Sequence, residues 1–99
     1  MYDDLEALLQ GYAELILVSL WDSRCEASLY MDQLVQEFER RLSLPIIRLK
    51  LAEYRDWAGT HGIYGTPALV AYYRGRPVFR LIGRITPSEL LQRLQAFGV

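Results

Sequence analysis

Residues 15–28, LILVSLWDSRCEAS, carry the strongest structural signal in this chain. The segment from Leu15 to Trp21 is nearly all apolar, which is typical of a strand covered on both faces. A helical pattern of apolar residues follows directly after Cys25. The only cysteine of the sequence is therefore expected where a strand ends and a helix begins. Because backbone N–H groups at a helix N-terminus stabilise an anion, this position is predicted to lower the pKa of the Cys25 thiol.

The composition narrows the class of protein and of partner. The 99 residues, 52% of them hydrophobic, suit a single domain over residues 1–99 and are too apolar for a disordered chain. The formal net charge of −1, with both signs scattered, gives no electrostatic case for nucleic acid or an anionic membrane. No apolar run is long enough to cross a membrane, and residues 1–4 lack the basic start of a secretory signal. One cysteine cannot form an internal disulfide, so we expect a reducing, cytoplasmic setting.

Periodic apolar residues predict four helices and four strands in the order α-β-α-β-α-β-β-α. The strands are predicted at residues 15–20, 46–51, 68–73 and 78–82. Residues 86–89, TPSE, give the last helix a capping hydroxyl, a proline at its first position and a glutamate three residues after the cap. The helices are indicated by Leu5, Leu8, Leu9 and Tyr12, by Met31, Leu34, Val35, Phe38 and Leu42, by residues 54–60, and by Leu90, Leu91, Leu94 and Phe97.

The connections between these strands predict a mixed sheet. A helix joins the first two strands, so they should run parallel, whereas the turn at residues 74–76 makes the last two an antiparallel hairpin. We expect an α/β fold with four strands in the spatial order 2-1-3-4 and helices on both faces. Gly83 interrupts the end of the hairpin and is expected to mark a bulge.

Five segments resemble thioredoxins and occur in the same order. They are the strand ending at Trp21, CEAS (25–28) at the C-x-x-C position, GIYGTP (62–67), YRGRP (73–77), and Gly83 followed by residues 86–94. The resemblance covers nearly the whole chain, although too little sequence precedes Leu15 for the short N-terminal edge strand common in the family. It implies the thioredoxin fold, with Pro67 cis and facing the thiol, and with Thr66 backbone groups that pair with an extended client. Without the resemblance, a trans proline that opens an edge strand would be favoured.

Several departures from the thioredoxin pattern concern the redox site. Ser28 replaces the resolving cysteine, so no internal thiol can release a bound client. Ser19 stands where thioredoxins usually carry a buried aspartate that helps to deprotonate the second cysteine. Arg24 replaces the tryptophan that usually precedes the motif, and Glu26-Ala27 replaces Gly-Pro. Insulin-type disulfide reduction without added thiol is therefore expected to be very weak.

The first functional hypothesis is a monothiol protein in which Cys25 is the nucleophile. Arg24 and the helix N-terminus favour the thiolate, the Ser28 hydroxyl can donate to it, and Glu26 opposes it as a like charge. Cys25 would form mixed disulfides with client proteins or with glutathione, and an external thiol such as glutathione would resolve them. Glutaredoxins with a C-x-x-S motif use this chemistry. The glutaredoxins of this type that bind an iron–sulfur cluster have Gly-Phe between the Cys and the Ser, and this chain does not. We therefore expect no iron–sulfur cluster and no other cofactor, and a monomer whose exposed thiol also permits a disulfide-linked dimer.

The second hypothesis is a redox-inactive thioredoxin-fold module that binds a partner or acts as a chaperone-like protein. Cys25 would then be a small apolar residue, as many free cysteines are. The Ser28 and Ser19 replacements favour this hypothesis, whereas the place of Cys25 at the helix start favours reactivity. A third interpretation is that Ser28 was engineered to trap clients. Ser19 argues against it, because a second replacement in the same site suggests that the whole site has diverged from the thioredoxin pattern. The surface that binds a client is expected to contain Trp21, Arg24, Glu26, Ala27, Tyr64, Thr66 and Pro67. The redox-inactive module would use the same surface around Trp21, Cys25, Tyr64 and Pro67.

The remaining polar and aromatic residues are assigned structural roles. His61, the only histidine, is expected at the surface or as a helix cap, and without a partner at ligand spacing no metal site is predicted. Trp57 is assigned to the core or the surface. Tyr72 and Tyr73 are assigned to a strand, with an extension of the partner-binding surface as the alternative. The hairpin end is basic, which is usual for a solvated turn that protects the edge of a sheet. The alternative interpretation is that it binds an acidic partner. Its arginines are Arg74, Arg76, Arg80 and Arg84.

Overall fold

The computed structural model describes residues 2–99, which form a mixed four-stranded sheet in the order β2-β1-β3-β4. The strands are β1 (Leu15–Trp21), β2 (Ile46–Lys50), β3 (Ala68–Tyr73) and β4 (Arg76–Ile82). The helices are α1 (Leu5–Gln10), α2 (Glu26–Leu42), α3 (Arg55–Thr60) and α4 (Pro87–Gln95), with a 3₁₀ turn at Leu51–Glu53. Strands β1 and β2 are parallel, and both β1–β3 and β3–β4 are antiparallel. The predicted α/β architecture and strand order are confirmed.

The sheet is covered on both faces, which explains why β1 and β3 are almost continuously apolar. Side chains on alternate strand positions point to opposite faces, so β1, β2 and β3 each supply two separate clusters. The first cluster packs α1 and α3 against one face and includes Leu5, Leu9, Val18, Ala58, Ile63 and Val70. The second packs α2 and α4 against the other and includes Leu17, Met31, Val35, Leu69, Leu90 and Leu94.

Local signals in the sequence account for the helix ends. Helix α2 begins directly after Cys25 and ends at Leu42. The next residue, Ser43, caps the helix in a left-handed conformation (φ 52°). The Thr86 side chain caps α4 by accepting a hydrogen bond from the Glu89 N–H at 3.2 Å, and Pro87 occupies the first helical position. None of the helices within residues 2–99 combines the length and the apolar character needed to cross a membrane.

The predicted apolar stripes are buried only in part. Tyr12 of the first stripe is exposed because α1 stops at Gln10 with Gly11 as its cap, and Leu8, which lies within α1, is exposed as well. Leu42 and Leu91, one from each of the stripes on α2 and α4, are exposed as well. A stripe predicted from spacing is wider than the strip of helix that the sheet can cover.

The bulge of the hairpin lies at Val78 and not, as predicted, at Gly83. Ala71 pairs with Phe79 and Tyr72 pairs with Pro77, so Val78 is the extra residue of β4. Gly83 has a positive φ of 88° and follows the end of β4. Its N–H donates to the Pro67 carbonyl at 2.8 Å, which ties the end of β4 to the loop before β3.

The turn between β3 and β4 also holds the first helix. Arg74 and Gly75 both have positive φ, at 54° and 79°, as a two-residue hairpin turn requires. A Cβ atom on Gly75 would lie 2.5 Å from the carbonyl oxygen of Gln10 at the end of α1. Glycine is therefore needed here both for the turn and for the close approach of α1.

Candidate functional site

Cys25 lies in a short, hydrogen-bonded connection between β1 and α2. The chain turns after Trp21, and the Cys25 N–H donates to the Asp22 carbonyl at 3.1 Å. Cys25 is extended and precedes the first helical residue, so its own carbonyl accepts from the Ser28 and Leu29 N–H groups. Its side chain is partly exposed. This geometry places the sulfur at the N-terminal end of a 17-residue helix, as predicted.

A second segment, about forty residues further along the chain, faces the thiol. The Cys25 Sγ lies 3.8 Å from the Thr66 carbonyl oxygen. The peptide bond between Thr66 and Pro67 is cis, and Pro67 is buried where β3 begins. The sheet brings these segments together because β1 and β3 are hydrogen-bonded neighbours, with Leu20 opposite Ala68.

The surroundings of Cys25 lower the pKa of its thiol. The main cause is the Ser28 N–H, followed by the Ser28 hydroxyl; partial desolvation opposes them, and Thr66 and the Ala27 N–H add smaller contributions. The Ser28 side chain is 1% exposed, and its Oγ accepts the Asp22 N–H at 3.3 Å. Since that hydroxyl already accepts from Asp22, its single proton is free for the sulfur. The direction of the pKa shift agrees with the sequence prediction.

Arg24 has a different role from the one predicted, because its side chain contacts Asp22 and not the thiol. Its Nε lies 3.4 Å from Asp22 Oδ1, and its side chain is 86% exposed. The Arg24 N–H, followed by the Arg24 side chain, holds the pKa of Asp22 below its ordinary value. Stabilisation of the thiolate therefore comes from the first turn of α2, and Arg24 instead fixes the loop that carries Cys25.

Solved structures with this arrangement of strands and helices include thioredoxins. A mutant thioredoxin from Halobacterium salinarum matches with a TM-score of 0.86 and 15% identity, over 100% of this chain and 87% of that one. The thioredoxin of Fasciola hepatica matches with a TM-score of 0.82 and 17% identity, over 94% and 90% of the two chains. These identities are low, so the matches establish that the fold is that of thioredoxin.

Curated sequences point to the same family. A thioredoxin-like protein of Synechocystis is 25% identical over 92 residues, which are 91% of this chain and 88% of that protein. The chain is thioredoxin-like. The chloroplastic thioredoxin Y of Oryza sativa is 21% identical over 97 residues, and thioredoxin Y1 of Arabidopsis thaliana is 23% identical over 96. The chain matches 96% and 95% of its own length there but spans only 58% and 56% of those two relatives. No protein-family model matches it.

The other predicted contact residues of this thioredoxin-like protein differ in exposure and in the element that holds them. Trp21 is half-buried at the end of β1, and the Lys50 Nζ lies 5.5 Å from the centre of its ring. Glu26 is exposed and Ala27 is half-buried in the first turn of α2. Tyr64 is 80% exposed, and its hydroxyl donates to the Gly59 carbonyl at 3.4 Å, so it lies against α3.

Sequence reasoning missed a polar cluster beneath α1, on the sheet face that α3 also covers. Trp57 Nε1 donates to Glu6 Oε1 at 2.9 Å, and the Tyr72 hydroxyl donates to the same oxygen. The Tyr72 oxygen also lies 3.0 Å from His61 Nε2. Burial raises the pKa of Glu6, but hydrogen bonds from Tyr72 and Trp57 together with nearby His61 outweigh it and leave that pKa lowered.

This cluster corrects the role predicted for His61. The residue does cap α3 through its backbone N–H, but its side chain is only 14% exposed and faces Glu6 and Tyr72. Because the single Tyr72 proton goes to Glu6, His61 Nε2 must be the donor in its contact with the Tyr72 oxygen. Helical spacing did not suggest this cluster, because its members come from α1, α3 and β3. Across residues 2–99, no three potential metal ligands converge on one point.

Proposed function

We propose that this thioredoxin-like protein carries out monothiol thiol–disulfide exchange, in which Cys25 forms mixed disulfides with client proteins or glutathione. The observation that supports the proposal most is the position of the Cys25 sulfur. It lies at the start of α2 and is partly exposed, and the neighbouring Ser28 N–H and hydroxyl lower the pKa of the thiol. Since the thiolate is the attacking species, a lowered pKa increases its fraction at neutral pH.

The first step transfers a disulfide bond to Cys25. The Cys25 thiolate attacks one sulfur of the client disulfide, the client S–S bond breaks, and the other client sulfur leaves as a thiolate that takes up a proton from water. With a glutathionylated client, attack on the glutathione sulfur releases the client thiol and leaves glutathione on Cys25. No electrons are gained or lost overall, because one disulfide replaces another.

The second step needs a thiol from outside the chain. Ser28 occupies the position from which a second cysteine would act, and the sequence contains no other thiol. A glutathione thiolate attacks the sulfur that is bound to Cys25. The Cys25 sulfur leaves as a thiolate, which Ser28 again stabilises. For a glutathionylated client the net reaction consumes one glutathione and produces the free client thiol and glutathione disulfide.

The client is held by the surface next to Cys25. An extended client segment would pair with backbone groups of Thr66 and lie beside Pro67, while Trp21 and Tyr64 supply apolar contact. Glu26 and Ala27 border the sulfur on the α2 side, and Arg24 stiffens the loop through Asp22. The reaction suits a reducing compartment such as the cytoplasm, with the protein as a monomer.

The alternative is a redox-inactive module that binds its partner with the same surface. One observation favours it. Ser28 is 1% exposed, and its hydroxyl accepts a hydrogen bond from the Asp22 N–H, so the position of the resolving cysteine is packed and hydrogen-bonded without a thiol. In this alternative Cys25 contributes only packing, and its replacement by Ser leaves the affinity for the partner unchanged.

The rate of Cys25 alkylation by iodoacetamide against pH, read by intact mass, tests the proposal. The matched control is the same chain unfolded in urea, which supplies an unperturbed cysteine. We expect the midpoint of the folded protein to lie below that of the unfolded one. A midpoint at or above the control value contradicts a poised thiolate and favours the binding module.

A second assay addresses turnover. Glutathionylated peptide is incubated with glutathione and the protein, and the released peptide thiol is followed. The wild type is expected to accelerate release and to accumulate glutathione on Cys25, visible as a mass increase, whereas Cys25→Ser does neither. Equal rates for the two proteins would reject exchange chemistry at Cys25.

A further inference from the structure

Strand β4 presents a free edge and an uncovered stretch of sheet. It is the last strand of the sheet, so one row of its backbone N–H and C=O groups lacks a strand partner. The cluster beneath α1 and α3 contains no β4 residue. A groove of about 370 Å³ therefore opens between the end of α3 and residues 77–80. Two apolar side chains of β4, Val78 and Ile82, are exposed, the latter at 54%.

The charge along this edge differs from that of the rest of the chain. Residues 68–99 contain five arginines and one carboxylate, Glu89, a net charge of +4. Residues 1–67 contain eleven acidic and six basic side chains, a net charge of −5. The overall charge of −1 therefore conceals a basic C-terminal third that contains β3, β4 and α4.

The arginines of β4 and its end lack counter-ions, and two of them, Arg80 and Arg84, are held by other contacts. Within residues 2–99, no carboxylate oxygen lies within 4.0 Å of Arg76, Arg80 or Arg84. Arg80 donates to the His61 carbonyl, and the Arg84 guanidinium lies 4.1 Å from the centre of the Tyr30 ring. Arg48 on the opposite edge strand shows the contrast, because two carboxylates, at 3.0 and 2.9 Å, neutralise it.

We propose that β4 binds an extended, acidic segment of a partner protein as a fifth strand of the sheet. The free backbone edge supplies main-chain hydrogen bonds, the unpaired arginines meet Asp or Glu side chains, and the groove beside Val78 takes an apolar side chain. Charges on an edge strand also discourage aggregation, but an exposed Val78 beside a groove and an exposed Ile82 do not serve that purpose. A long nucleic acid fits less well, since residues 1–67 would repel it.

The proposed surface adjoins the Cys25 site. The Gly83 N–H donates to the Pro67 carbonyl, and the Thr66 carbonyl contacts the Cys25 sulfur, so the end of β4 is tied to the loop that faces the thiol. The partner is thus also a candidate client. Binding to β4 needs no thiol chemistry, however, and it is tested separately from the exchange reaction.

The test uses the full chain with Cys25→Ser, so that no mixed disulfide forms. The probe is a short, cysteine-free, fluorescent peptide in which Glu alternates with Val, and its control has Gln in place of each Glu. Fluorescence anisotropy is expected to show binding of the Glu peptide that weakens as salt is added. Amide signals of residues 78–84 should shift and gain protection from exchange, as expected for added strand pairing.

Two double variants with the same change of charge locate the site. Arg76→Gln with Arg84→Gln is expected to weaken binding about two- to thirtyfold, the range for two exposed ion pairs. Arg40→Gln with Arg41→Gln, at the end of α2, is expected to leave binding unchanged. Equal binding of the Gln peptide, equal loss in both variants, or absence of binding overturns the proposal. Competition by an oligonucleotide at equal affinity, or pairing of β4 with a second copy of the chain, overturns it as well.

Discussion

Replacement of Tyr72 by Phe isolates the polar cluster that holds α1 on the sheet. The change removes one hydroxyl, which donates to Glu6 and accepts from His61 at 3.0 Å, and keeps the buried ring. A hydrogen bond to a charged group contributes about 1.5–3 kcal/mol. The Glu6 side chain is 41% exposed and keeps its bond from Trp57, so water replaces part of what is lost. We therefore expect Tyr72→Phe to lower the free energy of unfolding by about 1–2 kcal/mol.

The penalty should depend on pH in a defined direction. Because the pKa of Glu6 in the folded protein is lowered from its ordinary value of 4.5, its stabilisation is present above that pH and is lost as the pH falls through the folded pKa. Tyr72 is one of the groups that lower this pKa, so the gap between wild type and Tyr72→Phe should be largest near neutral pH. It should narrow in acid, where Glu6 is protonated in both proteins.

Urea unfolding at several pH values measures this difference, and thermal melts should show a midpoint about 5–12 °C lower at neutral pH. Tyr73→Phe is the matched control, because Tyr73 packs against Phe97 on the other face of the sheet. A double-mutant cycle of Tyr72→Phe with Glu6→Gln should give a coupling of about 1 kcal/mol. Additive effects, or an equal loss for Tyr73→Phe, would refute the role given to the cluster.

Three further predictions concern the Cys25 site and the last helix. Ser28→Ala should raise the midpoint of Cys25 alkylation towards that of the unfolded chain, because the hydroxyl that donates to the sulfur is lost; an unchanged midpoint would assign the effect to backbone N–H groups alone. Arg24→Gln should leave that midpoint nearly unchanged, since Arg24 contacts Asp22; a shift as large as that of Ser28→Ala would show that its charge acts on the thiol. Thr86→Ala should reduce the free energy of unfolding by about 1 kcal/mol through loss of the α4 cap, and urea unfolding against Thr86→Ser checks it.

Local sequence signals were sufficient for the strands, the helices and the position of Cys25. The apolar run that becomes β1, the helical stripe after it and the TPSE cap each act over a few residues, so their outcome does not depend on distant parts of the chain. The parallel β1–β2 pair and the β3–β4 hairpin followed from the connection that joins the two strands of each pair. The lowered pKa of Cys25 was also predictable, because it depends on backbone N–H groups within one turn of the cysteine.

Only the tertiary structure decided which side chains meet across elements. Spacing cannot show that Glu6, His61 and Tyr72 converge, because the docking of α1 and α3 on the sheet brings them together. It also cannot show that Arg24 pairs with Asp22, since an exposed arginine reaches several neighbours and the turn selects one. The same holds for the arginines of β4, which are evident in the sequence but become one unpaired edge only when the sheet places β4 last. Periodicity reports which face of an element is apolar, whereas contacts between elements depend on packing at distances that no short pattern records.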